Sequence, residues 1–593
     1  MASFAAMAAA DVWSIALMIA VALIISPFLL AVYRICPGLH PLARVPGPFL
    51  QRVSGLPRVW QCRKGNRHLQ ELAAHQKYGS VVRIGPDSLS FSTLSALRTI
   101  HAKGAPVFKG DEFYGLLDGG PEGGRSVQME RAPDAHAARR RVLDRAMPAR
   151  DEAFQTIHAL AGVLVDVIRE EGRPCTTTTT TTTDNNNKGA GAGAGGGGGT
   201  IEVDINQLAS WYGFDLITTL AFGQSLDLLR RADYRWLPRC LQDASVFLYW
   251  AGFFRYALGL WRRFLGSRWP ARLRMRTAVE AQRYADLADR QVDRRLDRLA
   301  REEDEEKAAV TTEGNNDEDG EAGKRKKDKK NGDIFGHLLR ANLYSRIDLR
   351  ADSSLLIAAG SDAVRFTIAA TLFHWTTQSP TPTSLARATA EVRTTSGLHP
   401  TTVTDPAAVL GPSLRYLRAC VDEAMRLNPP KPSSIPREVA ASPTTGPMVI
   451  DGVPVPAGAT VGVCAYALHR DPDIYGPDPH AFRPERWLAR PLDTRMVAAF
   501  CPFLKGPRAC PGKTVAYLAV QLALFHLLYA FDIEAAAAAA DNNRTEGEEE
   551  VAAAEAASGD GDGDGQGRRN DFAFRDWVIG YAQGLNIRLT PWA

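Results

Sequence analysis

The stretch Phe503-Leu504-Lys505-Gly506-Pro507-Arg508-Ala509-Cys510-Pro511-Gly512 runs straight into an apolar segment of helical pattern, and it decides how the rest of the chain is read. A cysteine set just before a helix N-terminus has backbone N–H groups and the positive end of the helix dipole directed at its sulfur, which favours the thiolate. A thiolate so placed can ligate the iron of a flat macrocycle. Gly506 and Gly512 permit a tight turn and close approach to such a ring, Arg508 offers a two-pronged fork for a carboxylate, and Phe503 can pack beside the sulfur. Taken alone, Cys510 also reads as a buried apolar residue, the usual role of a free cysteine.

Two upstream motifs narrow that choice. Glu423-Ala424-Met425-Arg426 sets a carboxylate and a guanidinium three apart on one helical face, and Phe482-Arg483-Pro484-Glu485-Arg486-Trp487 follows about sixty residues later. With these in place the chain resembles the cytochrome P450 family, whose Phe-x-x-Gly-x-Arg-x-Cys-x-Gly signature it matches at every fixed position. The resemblance implies heme b as cofactor, with Cys510 as axial ligand of its iron and Phe503, Gly506, Arg508 and Gly512 around it. It also implies that Glu423, Arg426 and Arg486 form a structural network and take no part in the chemistry. His136-Ala137-Ala138-Arg139-Arg140 puts His136 and Arg140 on one helical face, where related enzymes supply heme-propionate donors; His136 also reads as an ordinary core or surface histidine. Arg437, in Ile435-Pro436-Arg437-Glu438-Val439, matches a strand arginine that faces a propionate. His40-Pro41-Leu42-Ala43, Lys77-Tyr78-Gly79 and Val82-Arg83-Ile84-Gly85-Pro86 look particularly like fungal members of secondary metabolism.

Composition bounds the remainder. The 593 residues are 45% hydrophobic and 23% charged with a net charge of +4, a globular balance whose basic runs sit beside acidic ones and carry no nucleic-acid signature. Eight irregularly spaced cysteines are too sparse for a disulfide scaffold and point to a reducing compartment. Low-complexity inserts at 176–199, 301–332 and 535–570 cannot bury enough apolar surface to offset the entropy of ordering, and read as expanded surface loops or as docking tails. What is left is one large body, residues 37–593, mainly α with small β-sheets. Its helical patterns include Ala278 to Leu299, Leu355 to Thr376, Leu414 to Leu427 and Gly512 to Tyr529; strand-like pieces include Val81 to Ile84, Met448 to Ile450, Thr460 to Val463 and Leu585 to Leu589.

Ahead of that body, Val12 to Tyr33 carries no charge over 22 residues, a helix of about 33 Å that suffices for a bilayer core. Arginines begin after it, at Arg34, Arg44, Arg52 and Arg58. The positive-inside rule then predicts residues 1–36 as one uncleaved transmembrane anchor with the catalytic body in the cytosol, on the endoplasmic reticulum.

Ala358-Ala359-Gly360-Ser361-Asp362-Ala363 resembles the family's oxygen-binding segment. Gly360 would leave space beside the iron and allow a local helix distortion, while Asp362 would join a proton relay. The family pattern places a threonine after the acid, but here Ala363 stands, so the proton comes from water, a substrate hydroxyl or Thr367 one turn on. Candidate substrate segments are Phe113 to Gly120, Phe247 to Phe264, the helix near Phe366, Ser433 to Ile435 and Ile579 to Gln583, mostly apolar and suited to a lipophilic substrate. The aromatic segment around Trp250 reads either as a membrane-interface patch or as a buried helix. Lys505, Arg508 and Lys513 suggest a basic face for an acidic partner, an NADPH-dependent diflavin reductase. The leading expectation is a membrane-anchored monooxygenase. A heme-thiolate isomerase or dehydratase acting on a pre-oxidised substrate, and a non-catalytic heme-binding scaffold, stand as its rivals.

Overall fold

The computed structural model describes residues 25–115, 124–148, 150–171, 199–254, 276–312, 333–377, 383–441, 446–536, 572–582 and 584–592. The helices that build the site are, in chain order, α1 Arg67–Tyr78, α2 Pro133–Ala146, α3 Ile205–Phe222, α4 Leu237–Gly252, α5 Arg276–Thr312, α6 Arg346–Thr377, α7 Arg415–Leu427 and α8 Lys513–Ala530. Small sheets flank them, which makes the chain mainly α.

Two of these helices form the middle of the core. α8 is apolar on every face, has no internal Gly or Pro, and is therefore buried all round, with Leu518, Leu522, Phe525 and Leu528 fully enclosed. α6 packs most extensively on α3. The two backbones come close because Gly213 faces α6, where an added Cβ would lie 2.7 Å from the Ser361 carbonyl oxygen. α3 starts where Asp204 accepts from the Asn206 and Gln207 amides, and it stops at Gly223 in the left-handed region, φ 68°.

α6 begins at Arg346, ahead of the apolar pattern that starts near Leu355. Its first turns are polar because they pair with α5, Arg346 with Asp293 and Arg350 with Asp289. α5 itself continues through the acidic run as far as Thr312, where Glu302 faces Arg295 at 3.4 Å. The opening of the second expected insert is thus helical, while most of the three inserts lies outside the described residues.

Five strands make the main sheet: β1 Val81–Gly85, β2 Ser88–Phe91, β3 Val107–Phe108, β4 Arg437–Val439 and β5 Thr460–Val463. Their order is β1-β2-β5-β4-β3, antiparallel except for the parallel β2–β5 pair that sets Ser88 beside Thr460 and Phe91 beside Val463. A hairpin of β6 Arg575–Trp577 and β7 Ile579–Tyr581 carries Asp576 into the body. Ile201–Asp204, Asn586–Pro591 and Phe531–Ala535 form an antiparallel sheet that ties the C-terminal segment to the start of α3.

α6 and α8 are long and apolar enough to cross a membrane, yet most of each is buried in the core. Of the expected anchor, the described part is the helix Ile25–Ile35, with Phe28, Leu29 and Leu30 exposed; the rest lies outside the described residues.

Candidate active site

The cysteine loop folds back on itself. The Cys510 amide donates to the Phe503 carbonyl at 2.9 Å, Ala509 to Gly506 at 3.0 Å, and Leu504 to Cys501 at 2.9 Å. Gly506 sits at φ +72° with an added Cβ only 1.9 Å from the His101 carbonyl oxygen, so no other residue fits. The Gly512 amide donates to the Cys510 sulfur, as expected of a cysteine before a helix start. Burial nevertheless pushes the Cys510 thiol up, against that amide, Lys431 and Arg140, so the helix end alone does not make the thiolate; a coordinated cation deprotonates a thiol outright. The Cys510 side chain is exposed, in a loop whose other residues are half-buried apart from exposed Gly506 and Pro507. Phe503 packs on Tyr517 of α8, with ring centroids 5.2 Å apart.

One turn of α6 also opens. Ala359 is exposed and Ala358, Gly360, Asp362 and Ala363 are half-buried, while the helix after them is buried. The expected distortion at Gly360 is replaced by an unbroken helix, because Gly360 faces α3: a Cβ there would lie 2.4 Å from Ile217 Cγ1. The small side chain that faces open space is Ala359. Asp362 lies 3.5 Å from Arg365, which in turn donates to Asn206 and stacks 4.6 Å over the Tyr581 ring. Burial raises the Asp362 carboxyl, with Arg365 opposing. The Thr367 hydroxyl donates to the Ala363 carbonyl at 2.8 Å.

Cations gather to one side. Lys109, Arg437, Arg508 and His136 lie close enough to act on one another; burial and these neighbours push His136 down to about 4, so it is neutral, and lower Lys109 strongly. Arg508 donates to the Glu130 carbonyl at 2.9 Å and Arg437 to the Tyr114 hydroxyl at 2.8 Å. Arg140 lies with them, acting on His136, and also donates to the Ala509 carbonyl and pairs with Asp144, so it joins the cation group to the cysteine loop. No motif marks Lys109 or Tyr114, which join the group only through the fold. An open thiol, a small-residue turn and a cluster of buried cations in excess of their acids together fit heme, a flat ring with carboxylates on its edge.

The family model for cytochrome P450 matches residues 46–555. The chain is a cytochrome P450. Among its relatives are the cytochrome P450 monooxygenases fscF of Fusarium equiseti, 32% identical over 88% of this chain and 90% of the relative, and poxM of Penicillium oxalicum, 28% identical over 86% and 87%. A third, atnE of Emericella nidulans, is 26% identical over 83% of this chain and 86% of its own. This P450 is an oxidoreductase of the monooxygenase type, and the family works with heme iron, a reductase and a small-molecule substrate.

Behind the loop of this P450, Glu423 accepts both prongs of Arg426 at 2.8 Å, Arg486 Nε at 2.8 Å, the Arg483 amide at 2.9 Å and Trp487 Nε1 at 2.9 Å. Burial alone would raise the Glu423 carboxyl, but Arg426 and Arg486 hold it below its ordinary value. Arg426 spends its remaining hydrogens on the His469, Pro479 and Ala481 carbonyls. Arg483 and Trp487 were in the quoted motif, but nothing in their spacing assigned them to Glu423.

A cavity brings together Phe113, Tyr249 and Phe253 with the Ser433–Ile435 segment. The hairpin contributes Asp576 and Val578 rather than 579–583, and Phe366 packs into the core against Phe572 and Phe574. Tyr249 and Phe253 are buried, and residues 255–264 lie outside the described residues. The lining is not purely apolar: it includes Arg67, Lys431, Ser433, Ser434 and Asp576. Sequence spacing hid this, since Arg67 and Asp576 come from opposite ends of the body.

Proposed function

We propose that this P450 inserts one oxygen atom from O2 into a lipophilic small molecule of fungal secondary metabolism, drawing electrons from an NADPH-dependent diflavin reductase. Residues 1–36 anchor it in the endoplasmic reticulum membrane as a single pass, and residues 37–593, with surface inserts at 176–199, 301–332 and 535–570, form the cytosolic catalytic domain. The observation that carries this reading is the exposed Cys510 thiol, held by the Gly512 amide beside the cluster of cations. Exposed Phe28, Leu29 and Leu30, with Phe49, Leu50, Leu56 and Trp60 on the adjoining body, support membrane attachment.

Heme b, when bound, supplies oxygen activation and the oxidising equivalents. Cys510 would hold its iron, in a loop steadied by the Arg140 bond to the Ala509 carbonyl. Lys109, Arg437, Arg508, Arg140 and His136 would hold its carboxylates, and the small side chains of Ala359 and Ala363 would leave room beside it. Asp362, beside Arg365, would pass the proton inward, and because Ala363 has no hydroxyl, water or a substrate hydroxyl would complete delivery. Lys505 and Lys513 present positive charge to the acidic reductase.

The reduced protein under carbon monoxide is expected to show the red-shifted Soret band of thiolate-ligated heme, absent in Cys510→Ala and retained when Cys420, Cys464 or Cys501 is replaced, since burial holds those three as thiols. A band that survives in Cys510→Ala removes Cys510 as ligand. Deleting residues 1–36 is expected to release the protein from the membrane pellet; continued sedimentation counts against the anchor.

A further inference from the structure

The cavity beneath α4 holds a rigid polar network with two groups left over. Arg67 lies 2.7 Å from Glu71 and donates to the Ser434 carbonyl at 2.7 Å and to the Tyr249 hydroxyl at 3.1 Å. Tyr249 passes the chain on, donating to Asp576 Oδ2 at 2.9 Å, and Ser433 donates to that same oxygen at 2.5 Å. Asp576 is 1% exposed, yet among the described residues nothing donates to its Oδ1. Lys431 lines the same cavity, acts first on the Cys510 sulfur and less strongly on Asp576, and has neither an ion-pair partner within 4.0 Å nor a hydrogen-bond acceptor among the described residues. Burial holds the Asp576 carboxyl up at about 6 and lowers Lys431.

Leaving Asp576 Oδ1 and the partly exposed Lys431 ammonium without protein partners in the wall of a cavity costs free energy that an apolar lining would avoid. The backbone around them is strained as well. Phe113 at φ 68° and Val578 at φ 71°, the latter β-branched, both border the cavity, and such residues persist where surrounding structure holds a ligand site in shape. A group that donates to one partner and accepts from the other satisfies both at once, and an alcohol does so with a single oxygen.

We propose that Asp576 Oδ1 and Lys431 together bind a hydroxyl on an otherwise lipophilic substrate, so that this P450 acts on a molecule already carrying an alcohol. This rests on the cavity being the substrate chamber of the heme monooxygenase argued above. The network of Arg67, Glu71, Tyr249 and Ser433 positions Asp576, with its used oxygen turned to Tyr249 and Ser433. The aromatic rings of Phe113 and Phe253, 5.5 Å apart, supply the apolar wall. Carried one step back, the proposal requires a hydroxyl-forming or ester-cleaving reaction before this one.

The test uses full-length holoenzyme in detergent, with 1-dodecanol, dodecanoate and dodecane as probes and dissociation constants from spectral titration and calorimetry. Wild type is expected to bind 1-dodecanol about tenfold or more tighter than dodecane. Lys431→Met and Asp576→Asn are each expected to erase most of that preference while leaving dodecane binding unchanged. Equal affinity for alcohol and alkane in wild type overturns the proposal, as does a preference that survives both variants. Tightest binding of dodecanoate, lost only in Lys431→Met, also overturns it in favour of a carboxylate. The carbon monoxide spectrum is recorded on every variant. Loss of the thiolate band in wild type would sink the heme-thiolate reading instead, and if Asp576→Asn alone loses it, Lys431→Met and Ser433→Ala decide the matter by the same ratio.

Discussion

Arg140 donates from Nη1 to the carbonyl of Ala509 at 2.5 Å, across 369 positions of sequence, while its Nε bonds Asp144 at 2.7 Å. The guanidinium therefore clamps the residue just before Cys510. It is expected to guard the geometry of the ligand loop.

Arg140→Ala is thus expected to cost about 1.5–3 kcal/mol, the range for a charged hydrogen bond, less the screening of a partly exposed side chain. The reduced carbon monoxide complex should convert faster on warming from the thiolate band to the band of a lost thiolate. Heme content should stay close to wild type. Unchanged decay of the band would show that the Ala509 contact does not hold the loop.

Removing the charge of Glu423 leaves Arg426 and Arg486 buried without their counter-ion, an arrangement that costs about 3–5 kcal/mol. Glu423→Gln keeps the shape and is expected to lower the denaturant midpoint by that amount, a large share of the stability of an ordinary domain. The pH dependence has a definite sign. The folded carboxyl titrates below its unfolded value, so its contribution is complete above about pH 4.3 and fades as pH falls through the folded value. The variant should lose less stability than wild type over that acid range; parallel pH curves would contradict the assignment.

Ala363 stands where a hydroxyl would steady oxygen chemistry, and the nearest threonine, Thr367, spends its proton on the Ala363 carbonyl. Proton delivery then depends on how well the substrate fits. Ala363→Thr is expected to lower the peroxide released per NADPH consumed with poorly fitting substrates, and Asp362→Asn to slow turnover in either background. If Ala363→Thr leaves the leak unchanged while wild type rearranges an oxidised substrate without reductase, the isomerase reading replaces the monooxygenase one.

The long helices were legible because apolar periodicity survives wherever a face is buried. Leu414 to Leu427 and Gly512 to Tyr529 differ from the observed Arg415–Leu427 and Lys513–Ala530 by single residues at their ends. The first turns of α6 were not, because Arg346 and Arg350 answer to Asp293 and Asp289 on α5 and leave no periodic trace. In the same way the i, i+4 spacing put His136 and Arg140 on one face but could not say that Arg140 also reaches the Ala509 carbonyl. Gly360 looked like a site of distortion, and it is a packing contact with Ile217.

By itself, the sequence determined what is written in short-range chemistry. Cys510 lies before a helix start, Gly506 lies in the loop that turns ahead of it, and Glu423 lies one turn from Arg426, so ten or fewer neighbouring residues carry each of these constraints. Only the tertiary structure decided which distant side chains share a cavity. Lys109 meets Arg437 and Arg508, and Arg67 meets Asp576 through Tyr249, over separations of hundreds of residues. Charges of that kind tolerate burial only because the whole fold brings their partners to them, and no local pattern records who those partners are.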